Sequence, residues 1–306
     1  MLSVIIPSYN EEALISKAAQ TLAQILRAAA IDYELVFVDD GSADGTWAQI
    51  SAAAAADSAV RGVSFSRNFG KEAAVFAGLE NARGDCCAVI DCDLQQPPEK
   101  LPEMYALWQA GYEVVNGVKA SRGRESAAHG LAARWFYGLM SRAIRIDMRR
   151  ASDYKLMDRR VVDVLLALPE RKTFFRALTG WVGYRTAEVE YDVAERTAGV
   201  THWSTLSLLR YAFSNIAAYS SAPMQAVTIL GVLTLAVAVV LGIQTLVRRL
   251  SGNAVEGFTT VIILLLFIGS VLMISLGIIG YYIAEIFVEI KNRPRYLVAR
   301  RCGKER

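Results

Sequence analysis

The sequence is poor in the residues that mark disulfide-rich and zinc-binding proteins. It contains four cysteines and two histidines in 306 residues. Cys86 and Cys87 are adjacent, and neither the cysteines nor the histidines have the spacing of a disulfide framework or a zinc site. We expect reduced, buried thiols, as in a cytosolic compartment. The first residues, MLSVIIPSYNEE, lack the basic start of a signal peptide and predict a buried strand.

Two common phosphate-binding motifs are also missing. No GxGxxG follows the first apolar run, and no GxxxxGK[ST] occurs in the chain. Dinucleotide-binding and P-loop folds therefore lose their main support. Residues 1–247 carry 24 Lys and Arg against 26 Asp and Glu, a net charge of −2. Because no basic face covers this body, we expect no nucleic-acid partner.

Basic and apolar residues are concentrated after residue 223. Mean hydropathy is +0.29, and the excess of apolar residues lies in two blocks at about 224–247 and 259–284. Each block is long enough to cross a hydrocarbon core of roughly 30 Å. Residues 248–306 hold nine Lys and Arg against four Asp and Glu, which predicts a cytoplasmic tail and contact with membrane lipid. A two-helix hairpin returns the N-terminal body to the same side, so we expect a multi-pass protein of the inner (cytoplasmic) membrane. The predicted domains are a cytoplasmic catalytic domain at 1–200, a juxtamembrane helix at 201–222, two transmembrane helices within 223–284 and a basic cytoplasmic tail at 285–306.

Short apolar runs alternate with helix-length segments in the first half. Runs of about five residues rich in Val and Ile are typical of strands covered on both faces. Strand–helix alternation predicts an α/β fold with a doubly wound, mostly parallel sheet. The predicted strands are 2–6, 34–38, 60–65, 86–90 and 112–115, and the predicted helices are about 11–29, 44–56, 70–82 and 98–110.

Two further segments are amphipathic. Residues 117–150 combine an apolar face, with Leu131, Trp135 and Leu139 four residues apart, with many arginines. This pattern fits a helix packed on the sheet or one lying in the membrane interface. Residues 203–217 form a second stretch of this kind.

Polar residues follow three of the predicted strands, at 7–11, 39–42 and 91–95. Ligands of open parallel sheets bind beyond the carboxyl ends of the strands. Paired acids beside a phosphate need a bridging cation, and Mg²⁺ is usually held by one or two carboxylates together with phosphate oxygens. Asp91 and Asp93 therefore predict a site for Mg²⁺ or Mn²⁺ that a nucleotide diphosphate completes.

The ordered motifs PSYNEE, VDDGSADGT, SRNFGKEAA and DCDLQQPPE resemble family 2 glycosyltransferases with the GT-A fold. GVKASRGRES, SDYKLMDR, GWVGY, ERTAG, the two apolar blocks and RPRYLV extend the resemblance to the polyprenyl-phosphate glycosyltransferases, which include dolichol-phosphate mannose synthase and bacterial undecaprenyl-phosphate glucosyltransferases. The resemblance implies nucleotide-sugar contacts from Pro7, Tyr9, Asn10, Glu11, Asp39, Asp40, Asp91 and Gln95, and catalytic roles for Asp93 and Asp153.

The same resemblance implies acceptor-phosphate contacts from Lys119, Arg122, Arg124 and Arg196. Lys119 stands where the family usually has arginine, so a charge is kept but a bidentate fork is lost. Thr201, His202 and Trp203 also depart from the family pattern after ERTAG. Because a lipid phosphate is already an anionic nucleophile, we expect single inverting displacement, with Asp153 orienting the sugar or a basic partner. Lys71 is expected either to contact phosphate or to be solvated.

The function expected is transfer of a hexose from a nucleotide sugar, with UDP-glucose preferred, to polyprenyl (undecaprenyl) phosphate. GDP-mannose, UDP-GlcNAc and UDP-aminoarabinose stay open as donors, and a homo-oligomer stays open as the assembly. A processive polysaccharide synthase is disfavoured because it needs a QxxRW motif and more spans. A non-catalytic membrane scaffold is the remaining alternative, and it would not need the acids that the chain keeps.

Overall fold

The structure is a computed structural model that describes residues 1–119, 152–170, 174–192, 222–251 and 257–304. The chain divides into two compact units. Residues 1–202 and 293–306 form the first, and residues 203–292 form the second. Most of the predicted amphipathic segment at 117–150 and nearly all of the predicted juxtamembrane helix at 201–222 lie outside the described residues.

The first unit begins with four parallel strands connected by helices, as the alternation predicts. β1 pairs in parallel with β2 and β4, and β2 pairs in parallel with β3. These strands are buried almost throughout, which explains their continuous apolar runs. The elements are β1 (Leu2–Ser8), α1 (Glu12–Ala28), β2 (Tyr33–Asp39), α2 (Thr46–Ala56), β3 (Val60–Phe65), α3 (Lys71–Asn81) and β4 (Cys86–Val89).

The sheet continues beyond β4 with strands of mixed direction. β6 lies antiparallel between β4 and β5, and β7 pairs in parallel with β5. The predicted fifth strand, 112–115, is found slightly later in the chain. The elements are a 3₁₀ turn (Pro98–Lys100), α4 (Leu101–Gln109), β5 (Val114–Lys119), β6 (Lys155–Asp158), α5 (Arg159–Ala167), α6 (Phe175–Trp181) and β7 (Thr186–Tyr191).

The apolar stripe of α1 shows how the helices cover the sheet. Ile15, Leu22 and Leu26 recur at helical spacing and are fully buried, and they join the core formed by the strands. α5 begins at a capping residue, because the side chain of Asp158 accepts a hydrogen bond from the backbone N–H of Arg160 at 2.9 Å. These local signals set where a helix begins and which of its faces covers the sheet.

A short strand near the C-terminus completes this sheet. β8 (Val298–Cys302) pairs antiparallel with β3, so the strand order is β7-β5-β6-β4-β1-β2-β3-β8. The predicted α/β class is confirmed, as a mixed eight-stranded sheet in which four of the seven pairings are parallel. The sequence predicts this segment only as part of a basic tail, so β8 is a strand that the sequence pattern does not predict.

The second unit contains two long helices in its described part. They are α7 (Ala222–Leu250) and α8 (Phe258–Ile290), close to the predicted apolar blocks. Their segments Val227–Thr245 and Phe267–Ile290 are long and apolar enough to cross a membrane, and none of either segment is buried within the protein. Large apolar side chains such as Leu235, Val240 and Leu265 are more than half exposed, which suits helices surrounded by lipid.

Candidate active site

A cleft of about 310 Å³ lies where the strands β1 to β4 end. Its residues come from the loops after these strands and from the start of α3, as expected for a parallel sheet. The predicted site residues Pro7, Tyr9, Glu11, Asp40, Asp91 and Asp93 all line it. The full lining is Pro7, Ser8, Tyr9, Glu11, Asp40, Asn68, Gly70, Lys71, Ala74, Asp91, Cys92 and Asp93.

The loop after β1 is tied to the turn after β2. The backbone N–H of Asn10 donates to Ser42 Oγ at 2.9 Å, and Asn10 Oδ1 accepts from the N–H of Ala43 at 3.0 Å. Asn10 has a φ of 54°, a conformation that asparagine tolerates better than most residues. Tyr9, which is 48% exposed, is thereby held at the mouth of the cleft.

The two adjacent acids after β2 occupy different environments. Asp39 is fully buried, accepts from the N–H of Ser42 at 3.0 Å and from Ser64 Oγ at 2.8 Å, and does not line the cleft. Asp40 does line it and accepts from the N–H groups of Phe69 and Gly70 at 2.7 and 2.9 Å. Burial raises the pKa of Asp40 in spite of these hydrogen bonds.

Glycine is required at the next position of this turn. Gly41 has a φ of +69°, and a Cβ there would overlap the backbone of Arg67. The turn can therefore pack against the loop after β3 only without a side chain.

The acids after β4 differ in exposure. Asp91 Oδ2 accepts from Gln96 Nε2 at 3.2 Å, and the Asp91 N–H donates to Gln96 Oε1 at 2.9 Å. Asp93 is exposed, and its Oδ1 accepts from the N–H of Gln95 at 3.1 Å. Gln95 is thus beside the acids but is not part of the cleft lining.

These acids form a site of negative potential that fits a divalent cation. Burial, followed by the charges of Asp93, Asp44 and Asp91, raises the pKa of Glu11. Asp91 Oδ1 already binds a cation, the ammonium of Lys71, at 2.6 Å. No group of three or more His, Cys, Asp or Glu residues suited to a metal occurs in the described parts of the chain. Two carboxylates in an open cleft nevertheless suit Mg²⁺ or Mn²⁺ with ligands completed by a bound phosphate.

Asp153 does not line the cleft, but it lies beside it because β6 runs antiparallel to β4. β6 begins where β4 ends, with Lys155 paired to Val89. Lys71 Nζ lies 3.3 Å from Asp153 Oδ2 as well as 2.6 Å from Asp91, so it connects the two acids. Burial lowers the pKa of Lys71, but the attraction of both carboxylates outweighs it and the pKa is raised.

Asp153 is also held by an arginine. Arg176 Nε and Nη2 donate to its two carboxylate oxygens, each at 2.6 Å. Burial opposes ionisation of Asp153, but Arg176 and then Lys71 outweigh burial and lower its pKa to about 2. A carboxylate with this pKa and with cations on both oxygens is a weak base and a good anchor for cationic side chains.

Two titratable groups near Asp153, the partly buried Glu72 and the buried Lys155, have strongly shifted pKa values. Burial raises the pKa of Glu72 to about 7, although Glu72 accepts a hydrogen bond from the Phe175 N–H at 2.9 Å. Burial lowers the pKa of Lys155 to about 8, partly offset by Asp153. Both side chains face the start of α6, because Glu72 binds the Phe175 N–H and the ammonium of Lys155 lies 6.0 Å from the Phe175 ring centroid.

Of the predicted acceptor-phosphate residues, the structure describes Lys119 alone. Lys119 ends β5, where it pairs with Tyr191, and its side chain is exposed. Arg122, Arg124 and Arg196 lie outside the described residues. Arg176 is not predicted as a site residue, because nothing in KTFFRALTG distinguishes it from an ordinary helical arginine.

The fold and the cleft define an α/β protein whose cleft carries acidic side chains at the ends of parallel strands. Residues 3–165, more than half of the chain, match Glycosyl transferase family 2, and the chain belongs to this family. The predicted family and the predicted enzyme class, a glycosyltransferase, are confirmed.

Similarity to known proteins extends over nearly the whole chain. The SfII prophage-derived bactoprenol glucosyl transferase of Shigella flexneri is 36% identical over 299 residues, covering 97% of each chain. The prophage bactoprenol glucosyl transferase homolog of Escherichia coli K12 is 36% identical over 301 residues, covering 98% of each. An uncharacterized glycosyltransferase of Synechocystis is 37% identical over 309 residues, covering 99% of this chain and 96% of its own.

Proposed function

We propose that this glycosyltransferase transfers glucose from UDP-glucose to polyprenyl (undecaprenyl) phosphate, giving polyprenyl-phosphate glucose and UDP. The similarity to proteins named bactoprenol glucosyl transferase over 97% of both chains supports the acceptor and the sugar. The observation that carries the proposal is the joining of Asp91 and Asp153 by Lys71 at one edge of the sheet. This arrangement brings the predicted metal motif next to the predicted reaction centre.

The donor would lie with its nucleotide between the loops after β1 and β2. Tyr9 offers a half-exposed aromatic surface for a base, and the carboxylate of Asp40 lies in the same cleft. Asn10 does not line the cleft, but its hydrogen bonds with the turn after β2 hold the loop that carries Tyr9. The diphosphate would then extend toward Asp91 and Asp93. A divalent cation held by these two acids would neutralise charge on the departing diphosphate.

The chain's own cations would serve the reacting phosphates. Lys71 is close enough to Asp91 to reach a diphosphate bound there, and its side chain is 46% exposed. Lys119, Arg122, Arg124 and Arg196 are the proposed acceptor-phosphate ligands, because the acceptor and donor are both anions whose repulsion must be offset. The lipid phosphate is itself the nucleophile, so a general base is not required.

Asp153 would act as an anchor for Lys71 and Arg176. Its pKa of about 2 keeps it ionised throughout the neutral range, and both its oxygens already accept hydrogen bonds from these cations. This role agrees with single displacement and inversion at the sugar carbon.

Location at the inner membrane, with the catalytic unit in the cytoplasm, is part of the proposal. Its support is the exposed apolar surface of α7 and α8 and the excess of basic residues after residue 247. A polyprenyl acceptor also requires an enzyme that works at a lipid surface.

The test is one set of incubations with purified full-length protein, undecaprenyl phosphate and Mg²⁺ or Mn²⁺. Radiolabelled UDP-glucose is expected to give label that extracts into organic solvent, and Asp93→Asn protein serves as the control. Label from GDP-mannose, UDP-GlcNAc or UDP-aminoarabinose instead would change the donor and keep the reaction. Absence of labelled lipid with every donor would refute the enzymatic function and favour a membrane scaffold.

A further inference from the structure

A row of polar side chains crosses three neighbouring strands at the edge of the sheet. Asp39 on β2 is paired with Ser64 on β3, and Ser64 is paired with Arg300 on β8. Side chains at paired positions point to the same face of a sheet. Accordingly, Ser64 Oγ donates to Asp39 Oδ2 at 2.8 Å, and Arg300 Nη2 donates to Ser64 Oγ at 3.3 Å. We refer to these residues as the Asp39–Ser64–Arg300 row.

The row contains a buried carboxylate that needs a nearby positive charge. Asp39 and Ser64 are fully buried, whereas the side chain of Arg300 is 54% exposed. Within the described part of the chain, Arg300 is the cation that approaches the Asp39 carboxylate, at 4.0 Å. Its guanidinium is also held 4.9 Å from the ring centroid of Trp47 on α2. Burial of a carboxylate without a nearby cation is costly, so the guanidinium of Arg300 offsets part of the cost of burying Asp39.

The other end of the row reaches the cleft. Asp39 Oδ1 accepts from the Ser42 N–H at 3.0 Å, which fixes the turn after β2. That turn holds the loop after β1, since Ser42 Oγ accepts from the Asn10 N–H and Asn10 Oδ1 accepts from the Ala43 N–H. The row therefore connects a strand formed by residues 298–302 to the loop that carries Tyr9.

We propose that Arg300 is a positioning residue for nucleotide binding and that it acts through Ser64 and Asp39. Arg300 does not line the cleft, so it orders the two loops without touching the ligand. The inference rests on the proposed function, because it takes the loops after β1 and β2 as the nucleotide site. It also gives β8 a role in substrate binding in addition to closing the edge of β3.

Arg301 provides a matched control. It is the next residue on β8, it pairs with Val63 instead of Ser64, and it lies on the opposite face beside Arg61 and Asn81. Arg301→Gln therefore makes the same change in charge on the same strand but leaves the row intact. Arg300→Lys keeps the charge and serves as the conservative variant.

The experiment measures binding of UDP with Mg²⁺ by calorimetry, using full-length protein in detergent without acceptor. Arg300→Gln is expected to weaken UDP binding by about three- to tenfold, the effect of losing one charged hydrogen bond at a partly exposed position. Arg300→Lys should recover part of this loss, and Arg301→Gln should bind UDP like the wild type. In the transfer assay, Arg300→Gln should raise the KM for the nucleotide sugar and leave kcat nearly unchanged.

A double-mutant comparison tests whether the effect passes through Ser64. In a Ser64→Ala background, Arg300→Gln should weaken UDP binding less than it does in the wild type. Additive losses, or equal UDP affinity in Arg300→Gln and Arg301→Gln, would overturn the inference. Thermal unfolding without ligand shows whether Arg300→Gln folds. If it does not fold, UDP binding is compared between Arg300→Lys and Arg301→Lys, and equal UDP affinity in these two variants would overturn the inference. Wild-type protein that binds neither UDP nor GDP would instead refute the nucleotide site, and the inference with it.

Discussion

Lys71 Nζ lies 2.6 Å from Asp91 Oδ1, so the first acid of the DCD motif already pairs with a cation of the chain. The same ammonium is 3.3 Å from Asp153 Oδ2. A divalent ion that binds Asp91 must therefore compete with Lys71 for the same oxygen or share the carboxylate with it. Through its two ion pairs, Lys71 connects the proposed metal position at Asp91 to Asp153 and the residues around α6.

Lys71→Met should strengthen binding of Mn²⁺ in the absence of nucleotide. Removal of the competing ammonium leaves the carboxylates of Asp91 and Asp153 with more negative charge to attract the metal ion. Because an ion pair at a partly exposed position is weak, the affinity for Mn²⁺ should rise by about two- to fivefold. Titration of Mn²⁺ followed by electron paramagnetic resonance measures this directly. Weaker Mn²⁺ binding would show that Lys71 supports the metal position instead of competing for it. Transfer activity should fall in the same variant.

Asp93→Asn should reduce transfer at least about a hundredfold while leaving the protein folded. Removal of a residue that only hydrogen-bonds to a metal ligand typically lowers metal affinity or activity by about 10- to 100-fold. Asp93 is proposed as a metal ligand itself, so its loss should lower activity at least as much. Its side chain is exposed, so the substitution buries nothing new. The assay is formation of labelled lipid, with Asp163→Asn on the surface of α5 as the control. Near-normal activity in Asp93→Asn would exclude the proposed metal role.

Arg176→Met should destabilise the protein by about 2 kcal/mol at neutral pH. In this variant the buried carboxylate of Asp153 loses its bidentate partner but keeps the ion pair with Lys71. Because Arg176 is partly exposed, the loss of stability should be smaller than for a fully buried ion pair. Because Arg176 helps to lower the pKa of Asp153 to about 2, its contribution is present above the unfolded-state pKa near 4 and is lost as the pH falls toward 2.

The measurement for this variant is thermal unfolding in detergent over that range of pH. The gap between wild type and Arg176→Met should narrow between about pH 4 and pH 2. A gap that stays constant across this range would mean that the arginine stabilises α6 by packing and not through Asp153. Arg176→Lys, which keeps one charged donor, should lie between the two.

Glu72 should make the protein less stable as the pH rises from about 4.5 to 7. Burial raises its pKa to about 7 from the usual 4.5, so the folded state holds the proton more strongly than the unfolded state. Ionisation above pH 7 therefore opposes folding, by up to about 3 kcal/mol. Glu72→Gln keeps an oxygen that can accept from the Phe175 N–H and removes this titration.

Thermal unfolding of wild type and Glu72→Gln at pH 5 and pH 8 checks this prediction. The variant should lose less stability than the wild type between these two values. Glu103→Gln, an exposed acid on α4, is the control and should follow the wild type. Parallel pH dependence in Glu72→Gln and wild type would contradict the assignment.

The first four strands and three helices could be predicted because each is a local pattern. β1 to β4 are short apolar runs buried on both faces, and α1 has a buried apolar stripe at helical spacing. The position of the cleft followed from the rule that parallel strands end at one edge. The family resemblance then assigned roles to residues that the pattern alone left open.

β8 could not be predicted, for a physical reason. The strand VARRC is short and mostly exposed, and in sequence it resembles the basic residues around it. It becomes a strand because it pairs with β3, which lies more than 230 residues earlier in the chain. Local propensity contains no information about such a distant partner.

The contacts among the site residues could not be predicted from the sequence either. Asp39 and Asp40 are adjacent buried acids, yet only Asp40 lines the cleft, because strand alternation and the following turn direct the two carboxylates into different surroundings. The ion pairs of Asp153 with Lys71 and Arg176 join residues 82 and 23 positions apart. Such pairings depend on the antiparallel course of β6, which the alternation of strands and helices does not reveal.

The pairing of β8 with β3 has a consequence for synthesis of the protein. The ribosome makes β3 early, but the strand that covers its edge emerges only after both long apolar helices have been made. Throughout that interval the backbone groups along one side of β3 have no partner strand, and an open strand edge favours association between nascent chains. Translation that stalls before residue 298 would therefore release a chain that is prone to aggregate, even though most of its sheet is already encoded.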